Sequence, residues 1–266
     1  MSVKSNQTVD KKTIVITGST RGIGRGLAVQ FLKRNHQVII NGRTNESVNK
    51  TVTEFKNQGY ETLGIAGDIT DEFTLQTIIE KAVANFKKID IWINNAGIPQ
   101  PHRNFIELDK NEMENVISVN ILGLMMGTKA AINFFKQQGY GKVFNMEGFG
   151  SDGRMRDKLT VYGTSKRAVN YFTRSVSKEI KDENIQMGIL SPGMVRTEFL
   201  TTSMSAGNAE DQARFQKVLD IMAEDVNVVT EFLVNKILVS TNHYDRIEFL
   251  SFGRLLPKLV RLMFVR

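Results

Sequence analysis

Tyr162 and Lys166 stand four residues apart in Val161-Tyr-Gly-Thr-Ser-Lys166, inside a stretch with helical patterning. Residues so spaced share one face of a helix, so the Lys166 ammonium is expected beside the Tyr162 phenol. A neighbouring cation favours phenolate and lowers a tyrosine pKa. Such a phenol can hand a proton to a carbonyl oxygen as hydride reaches the carbon, or take it back in the reverse direction. A Tyr-x-x-x-Lys pair by itself is often a surface pair. This one gains weight from Asn120, the run Asn94-Asn95-Ala96-Gly97 and a glycine-rich turn near the N-terminus.

That turn, Thr17-Gly18-Ser19-Thr20-Arg21-Gly22-Ile23-Gly24, joins a β-branched run to a helical pattern. Glycines there permit a tight turn and close approach of the backbone to a pyrophosphate, and a helix N-terminus offers free N–H groups. Residues Gly18 to Gly24 are therefore candidate cofactor contacts. Cofactor choice follows from the end of the second strand, Asn41-Gly42-Arg43-Thr44, which carries no acid for ribose hydroxyls. Arg43 can hold a 2′-phosphate by a charge-assisted fork, and Arg21 can approach the same group. NADP(H) is expected in preference to NAD(H).

The elements that must position these residues are legible as a rhythm. Short apolar runs at 13–17, 37–41, 62–66, 90–94, 142–146 and 185–190, with a weaker one at 246–250, alternate with amphipathic stretches at 22–34, 72–86, 111–138 and 161–182. Strands alternating with helices predict a parallel sheet covered on both faces. The expected fold is α/β, a single-domain doubly wound Rossmann fold over residues 1–266 with a sheet of about seven strands. Residues 1–12 read as a loose polar arm. Residues 197–224, polar and rich in small residues after the Pro192-Gly193 turn, fit the rhythm poorly and read as a substrate lid at the carboxyl end of the sheet.

Composition narrows the chemistry. The 266 residues include no cysteine, which excludes disulfides, thiolate catalysis and cysteine zinc sites. The scattered His36, His102 and His243 have no metal-ligand spacing, and no metal is expected. No apolar run reaches the roughly 18 residues that span a bilayer. The formal charge of +7 is read as general surface charge, not as a nucleic-acid footprint. At 254–266, Arg254, Lys258, Arg261 and Arg266 interleave with Leu255, Leu256, Leu259, Leu262 and Met263. Such a basic amphipathic helix can lie on an anionic membrane or pack on protein. The expected location is cytoplasmic, with that peripheral contact left open.

The motifs, in their order along the chain, resemble the short-chain dehydrogenase/reductase family: Thr17-Gly-x-x-x-Gly-Ile-Gly24, Asp68 after the third strand, Asn94-Asn95-Ala96-Gly97 after the fourth, Asn120, Tyr162-x-x-x-Lys166 and Pro192-Gly193. The resemblance implies that Lys166 also contacts the nicotinamide ribose and that Asn120 supports a proton-relay water. It implies that Asp68 and Ile69 contact adenine, although Asp68 also suits a helix cap. It further implies that Asn95, Ala96 and Gly97 line the ribose, and that Pro192, Gly193, Val195 and Thr197 embrace the carboxamide. Relatives are commonly dimers or tetramers built on the helices here at 111–138 and 161–182.

The family usually places a serine at the end of the fifth strand to donate to the substrate oxygen. The segment here is Asn145-Met-Glu-Gly-Phe-Gly-Ser151, with Gly148 at the serine position. Loss of one aligned donor to an oxyanion costs roughly 3 kcal/mol. Three explanations stay open: Ser151 reaches in, a backbone N–H freed by Gly148 and Gly150 donates, or catalysis is weak. Glu147 is read as an ion-pair partner, with a protonated donor role as the alternative. This segment, with Ser191-Pro-Gly-Met-Val-Arg-Thr197, is most similar to the chlorophyll(ide) b reductase branch, which has Asp at Glu147 and keeps the glycine. The branch implies reduction of a formyl group on a large pigment to hydroxymethyl. Two functions are carried forward: an NADPH-dependent reductase of an aldehyde or ketone on a bulky apolar molecule, and a catalytically weak NADP-binding regulatory module.

Overall fold

The computed structural model describes residues 10–200 and 209–250 together with Gly253 and Lys258; for 209–215 it describes the backbone alone. Seven strands form one sheet: β1 Thr13–Ile16, β2 Gln37–Gly42, β3 Thr62–Ala66, β4 Ile91–Asn94, β5 Gly141–Met146, β6 Ile185–Ser191 and β7 Tyr244–Glu248. All pairings are parallel, in the order β3-β2-β1-β4-β5-β6-β7. The order reverses between β1 and β4, so the loops leaving these two strands part at the carboxyl edge and open a crevice, the ligand position in doubly wound sheets.

Alternation along β1 builds the two layers of core. Ile14 and Ile16 face Leu27 and Phe31 of α1 (Gly22–Lys33) and Val229, Leu233 and Ile237 of a C-terminal helix, while Val15 faces the opposite cluster of Ile78, Ala131 and Phe135. Period-two alternation with both faces covered explains why the strands read as uninterrupted apolar runs. The remaining helices are α2 Asn45–Asn57, α3 Glu72–Phe86, α4 Lys110–Ile117, α5 Leu124–Gln138, α6 Thr160–Glu179, α7 Ala209–Met222 and α8 Val226–Val239. Helices α2 and α8 are absent from the expected set. The first buries only Val48, Thr51 and Phe55 and so has little apolar stripe; the second is apolar nearly all round.

The expected helix at 111–138 is a continuous run, Lys110–Gln138, in which a π-helical turn, Ser118–Gly123, joins α4 to α5. π-turns inside α-helices recur at functional sites, and this one carries Asn120. The same run corrects an expectation: by length and a mean hydropathy of 1.3 it is apolar enough to cross a membrane. Its inner positions, Gly127, Ala131 and Phe135, pack on the sheet, and Asn120 is fully buried at the site.

Strand β7 begins two residues before its expected run. The arm is firmer than expected at its end. The Lys12 backbone N–H donates to His36 Nδ1 at 3.2 Å, its carbonyl accepts from Gln37 N, and Lys11 pairs with Glu61. Residues 1–9 lie outside the described residues, as does the expected tail helix at 254–266 apart from Lys258. That lysine turns toward the protein, donating to the Met222 carbonyl at 3.1 Å and pairing with Glu224. The expected lid at 197–224 is an excursion closed at its base: Val195 and Glu224 form a parallel bridge, and Arg196 N donates to the Glu224 carbonyl at 2.9 Å. Helix α7 lies within it, with Leu219 and Ala223 packed on Met194 and Leu200.

Candidate active site

The glycine turn and the loop after β4 are bolted together. Gly18 sits at φ +61°, and a Cβ there would lie 2.8 Å from Ala96 Cα, so only glycine allows the two loops to touch. Thr17 Oγ1 accepts from Asn95 N and Ala96 N, each at 3.0 Å, and Asn95 Nδ2 donates to the Thr17 and Gly18 carbonyls. Ser19 is turned inward: its hydroxyl donates to the Ile16 carbonyl at 2.7 Å and accepts from Asn41 N. Thr20 packs on Gly42, and Ile23 on the core. Arg21 caps α1 through its backbone, with no side-chain capping bond and no acid in the first turn of the helix. The N–H groups of Gly22, Ile23 and Gly24 and the positive end of the dipole are therefore left for an anion. Gly97 completes the cradle, since a Cβ there would sit 3.2 Å from Asn120 Oδ1 and 3.5 Å from Lys166 Nζ. These features fit a dinucleotide.

Arg43 is exposed at the end of β2. Arg21 is also exposed, but its guanidinium faces Glu198, 3.8 Å away at the start of the lid segment. Asp68 does not cap α3. It holds an Asx turn, accepting from Thr70 N and Thr70 Oγ1 at 2.8 Å each, and Asp71 three residues later accepts from Phe73 N and Thr74 N as the cap. Ile69 is buried against Gly123 of the π-turn. Pro192 and Val195 are buried, Gly193 packs on Leu250, and Thr197 lies beside Gly22. The loop after β6 therefore does approach the glycine turn.

Helix α6 delivers Tyr162 and Lys166 side by side, with Lys166 Nζ 5.7 Å from the centre of the Tyr162 ring. Lys166 is buried and donates to the Met146 carbonyl at 3.2 Å. Among the described residues no hydrogen bond engages the Tyr162 hydroxyl. The expected depression of the phenol's pKa is not what the structure gives: burial pushes it well above the usual tyrosine range. Burial likewise pulls Lys166 down to about 8, and the Glu147 carboxylate opposes that fall. Spacing foretold the cation but not the depth at which both groups sit, and desolvation outweighs the pairing.

Asn120 is engaged on all sides. Its Oδ1 accepts from Ile98 N at 2.8 Å, and its Nδ2 donates to the Ile98 carbonyl at 2.9 Å and to Ser165 Oγ at 3.2 Å. It clamps the β4 loop to α6. Three further contributors carried no sequence signal. Ser165 Oγ donates to the Tyr162 carbonyl at 2.6 Å. Gln100 Oε1 accepts from Tyr162 N at 2.9 Å, serving an otherwise orphaned donor of α6, whose own cap Leu159 makes no side-chain bond. The Phe199 ring, from the lid segment, lies 5.8 Å from the Tyr162 ring.

At the serine position, Gly148 itself lies against the phenol: a Cβ there would be 2.4 Å from Tyr162 Oη. Ser151 is buried one turn away, its N–H donating to the Gly148 carbonyl at 3.2 Å and its carbonyl accepting from Arg167 at 2.8 Å. No hydrogen bond among the described residues joins the Ser151 hydroxyl to Tyr162. Glu147 is an ion-pair partner: its Oε1 accepts from Arg246 Nη2 at 2.8 Å and its Oε2 from Asn170 Nδ2 at 3.1 Å. No group of three or more His, Cys, Asp or Glu side chains suited to a metal occurs among the described residues.

Comparison with known proteins agrees with this geometry. The family model for the short chain dehydrogenase matches residues 12–208. The chlorophyll(ide) b reductase NOL, chloroplastic, of Oryza sativa subsp. japonica is 36% identical over 247 residues, covering 90% of this chain and 70% of that protein. The probable chlorophyll(ide) b reductase NYC1, chloroplastic, of Arabidopsis thaliana is 30% identical over 278 residues, and the chain spans 98% of its own length but only 55% of that relative. The crystal structure of 3-ketoacyl-(acyl-carrier-protein) reductase from Brucella melitensis complexed with NADH superposes with a TM-score of 0.76 at 26% identity, covering 91% of this chain and 98% of that one. With the glycine turn, the Tyr162–Lys166 pair and the sheet order all in place, the chain belongs to the short-chain dehydrogenase family of NAD(P)-dependent oxidoreductases.

Proposed function

We propose that this chain is an NADPH-dependent reductase that converts an aldehyde or ketone on a bulky apolar molecule to an alcohol, with a formyl-bearing pigment as the leading substrate class. The observation that carries the reading is the Tyr162 hydroxyl, unbonded among the described residues and set beside Lys166 at the carboxyl edge of the sheet. When bound, the reduced nicotinamide supplies the hydride to the carbonyl carbon. Tyr162 Oη gives its proton to the carbonyl oxygen, and the Lys166 ammonium stabilises the phenolate left behind. Asn120 fixes the β4 loop against α6, and the relay water implied by the family would rest on this clamp. Asp68 and Ile69 on the adenine side, and Pro192, Gly193, Val195 and Thr197 on the carboxamide side, are the proposed remaining contacts.

The apolar substrate class rests on the similarity to the chlorophyll(ide) b reductases and on Phe199 against Tyr162, with residues 197–224 as the proposed lid. The second reading, an NADP-binding regulator without useful turnover, is motivated by Gly148; the Tyr162–Lys166 pair and the Asn120 clamp speak against it. A homodimer or homotetramer through Lys110–Gln138 and α6 is proposed, where Leu122 and Tyr171 are exposed. The proposed setting is the cytoplasm, whereas the chlorophyll(ide) b reductases that the chain resembles are chloroplastic. In the tail, Lys258 alone is described, and it bonds to Met222 and Glu224 of the domain.

The test is NADPH oxidation, followed by nicotinamide absorbance, against carbonyls ranging from small aldehydes to formyl-bearing pigments. Turnover that rises with substrate size is expected. Silence across the panel with NADPH still bound would favour the regulator. Cofactor preference has its own prediction. Replacing Arg43 with Ala should raise the NADPH KM about 10- to 100-fold, the worth of a charge-assisted contact of roughly 1.5–3 kcal/mol, and leave NADH unchanged. Equal losses with both cofactors would remove Arg43 from the phosphate.

A further inference from the structure

We propose that Glu147 is a positioning residue that holds the buried Lys166 in its ammonium form, and that Arg246 on β7 governs how strongly it does so. The proposal rests on the reading of Tyr162 and Lys166 as proton donor and activator, and adds a layer beneath it.

Glu147 immediately follows Met146, whose carbonyl accepts from Lys166 Nζ, so the carboxylate is tied by the backbone to the lysine's own anchor. Its side chain is fully buried. One oxygen accepts from Asn170, one helical turn beyond Lys166 on the same face of α6, and the other accepts from Arg246. A buried ammonium without an opposite charge is driven to its neutral form. Among the described residues, the charge that opposes this for Lys166 is Glu147. Tyr162 and Lys166 lie on α6 itself, Tyr244 and Arg246 face Glu147 from β7, and Glu248 and Arg174 act on those two β7 residues from farther out. Arg246 is partly exposed and competes with Lys166 for the same carboxylate. The arrangement is a graded one: a solvent-accessible guanidinium, a buried carboxylate, then the buried ammonium that steadies the phenolate.

Two opposite results follow. Glu147→Gln keeps the acceptor for Arg246 and the shape of the side chain but removes its charge. The alkaline limb of kcat/KM should move to lower pH by about one unit, the low end of what a neighbouring opposite charge contributes. Arg246→Gln removes the competitor and should move the same limb to higher pH. Glu147→Asp should restore the wild-type profile. A role in packing alone predicts losses of the same kind in both variants and no movement of the limb. If Glu147→Gln does not fold, as judged by its thermal transition, the double variant Glu147→Gln/Arg246→Gln removes both charges together and should show the same downward shift. Wild-type turnover with an unmoved limb in the soluble Gln variants would overturn the role of Glu147. Absence of wild-type turnover on every carbonyl would instead overturn the reductase reading beneath it.

Discussion

Tyr162→Phe will lower kcat by about 10²- to 10⁴-fold, the range that a positioned acid contributes, while NADPH binding and the thermal transition stay close to wild type. The substitution removes one oxygen atom. The ring contact with Phe199 and the bond from Tyr162 N to Gln100 belong to parts of the residue that phenylalanine keeps. The lost hydroxyl forms no hydrogen bond among the described residues, so no partner is orphaned. Lys166 retains its bond to the Met146 carbonyl. The variant thus separates proton donation from folding and cofactor binding. Fluorescence titration with NADPH and stopped-flow turnover on the best carbonyl of the panel read the two separately. Turnover within tenfold of wild type would assign the proton to another group.

The cofactor half of this site was legible in the sequence because its information is local. Gly18 through Gly24 are contiguous, and the glycines encode the turn directly. The β-branched runs encode a sheet buried on both faces, from which the crevice follows by topology. The catalytic half was legible as a list of residues but not as an environment. Spacing places Lys166 on the face of α6 that carries Tyr162, yet no spacing tells how deeply the pair is buried, and burial sets the direction in which both groups titrate. The supporting residues were invisible for a related reason. Gln100 meets Tyr162 across 62 positions, and Arg246 meets Glu147 across 99. Such pairs exist only once the sheet order is fixed, and neither side chain carries a local pattern that announces its partner. Asp68 and Asp71 show the opposite case: two acids near one helix start, either a plausible cap by residue type, and only the position of the first turn decides between them.

Restoring the family's serine at Gly148 will lower activity, not raise it. The argument from chemistry alone predicts the reverse, since a serine hydroxyl aimed at the substrate oxygen is worth roughly 10²- to 10³-fold when aligned. The geometry of this chain does not leave room for it. A Cβ at position 148 would lie 2.4 Å from Tyr162 Oη and 3.3 Å from both Tyr162 Cζ and Lys166 Cγ. The phenol is the rigid end of a ring with Phe199 packed beside it, and its backbone is held by Gln100 and Ser165, so it must swing away as a unit. Displacement of a reacting group by about 1 Å costs on the order of 10²-fold in rate. Gly148→Ala, which adds the bulk without the donor, should therefore lose about 10²-fold in kcat/KM. Gly148→Ser should recover part of that loss through its hydroxyl and still remain below wild type. NADPH affinity, measured by fluorescence, should change little in either variant, because position 148 faces the phenol and not the glycine turn. A serine variant faster than wild type would mean that the phenol accommodates the new side chain and that the native site lacks a donor. The ordering wild type, then serine, then alanine would mean that glycine at 148 is what lets Tyr162 reach its working position.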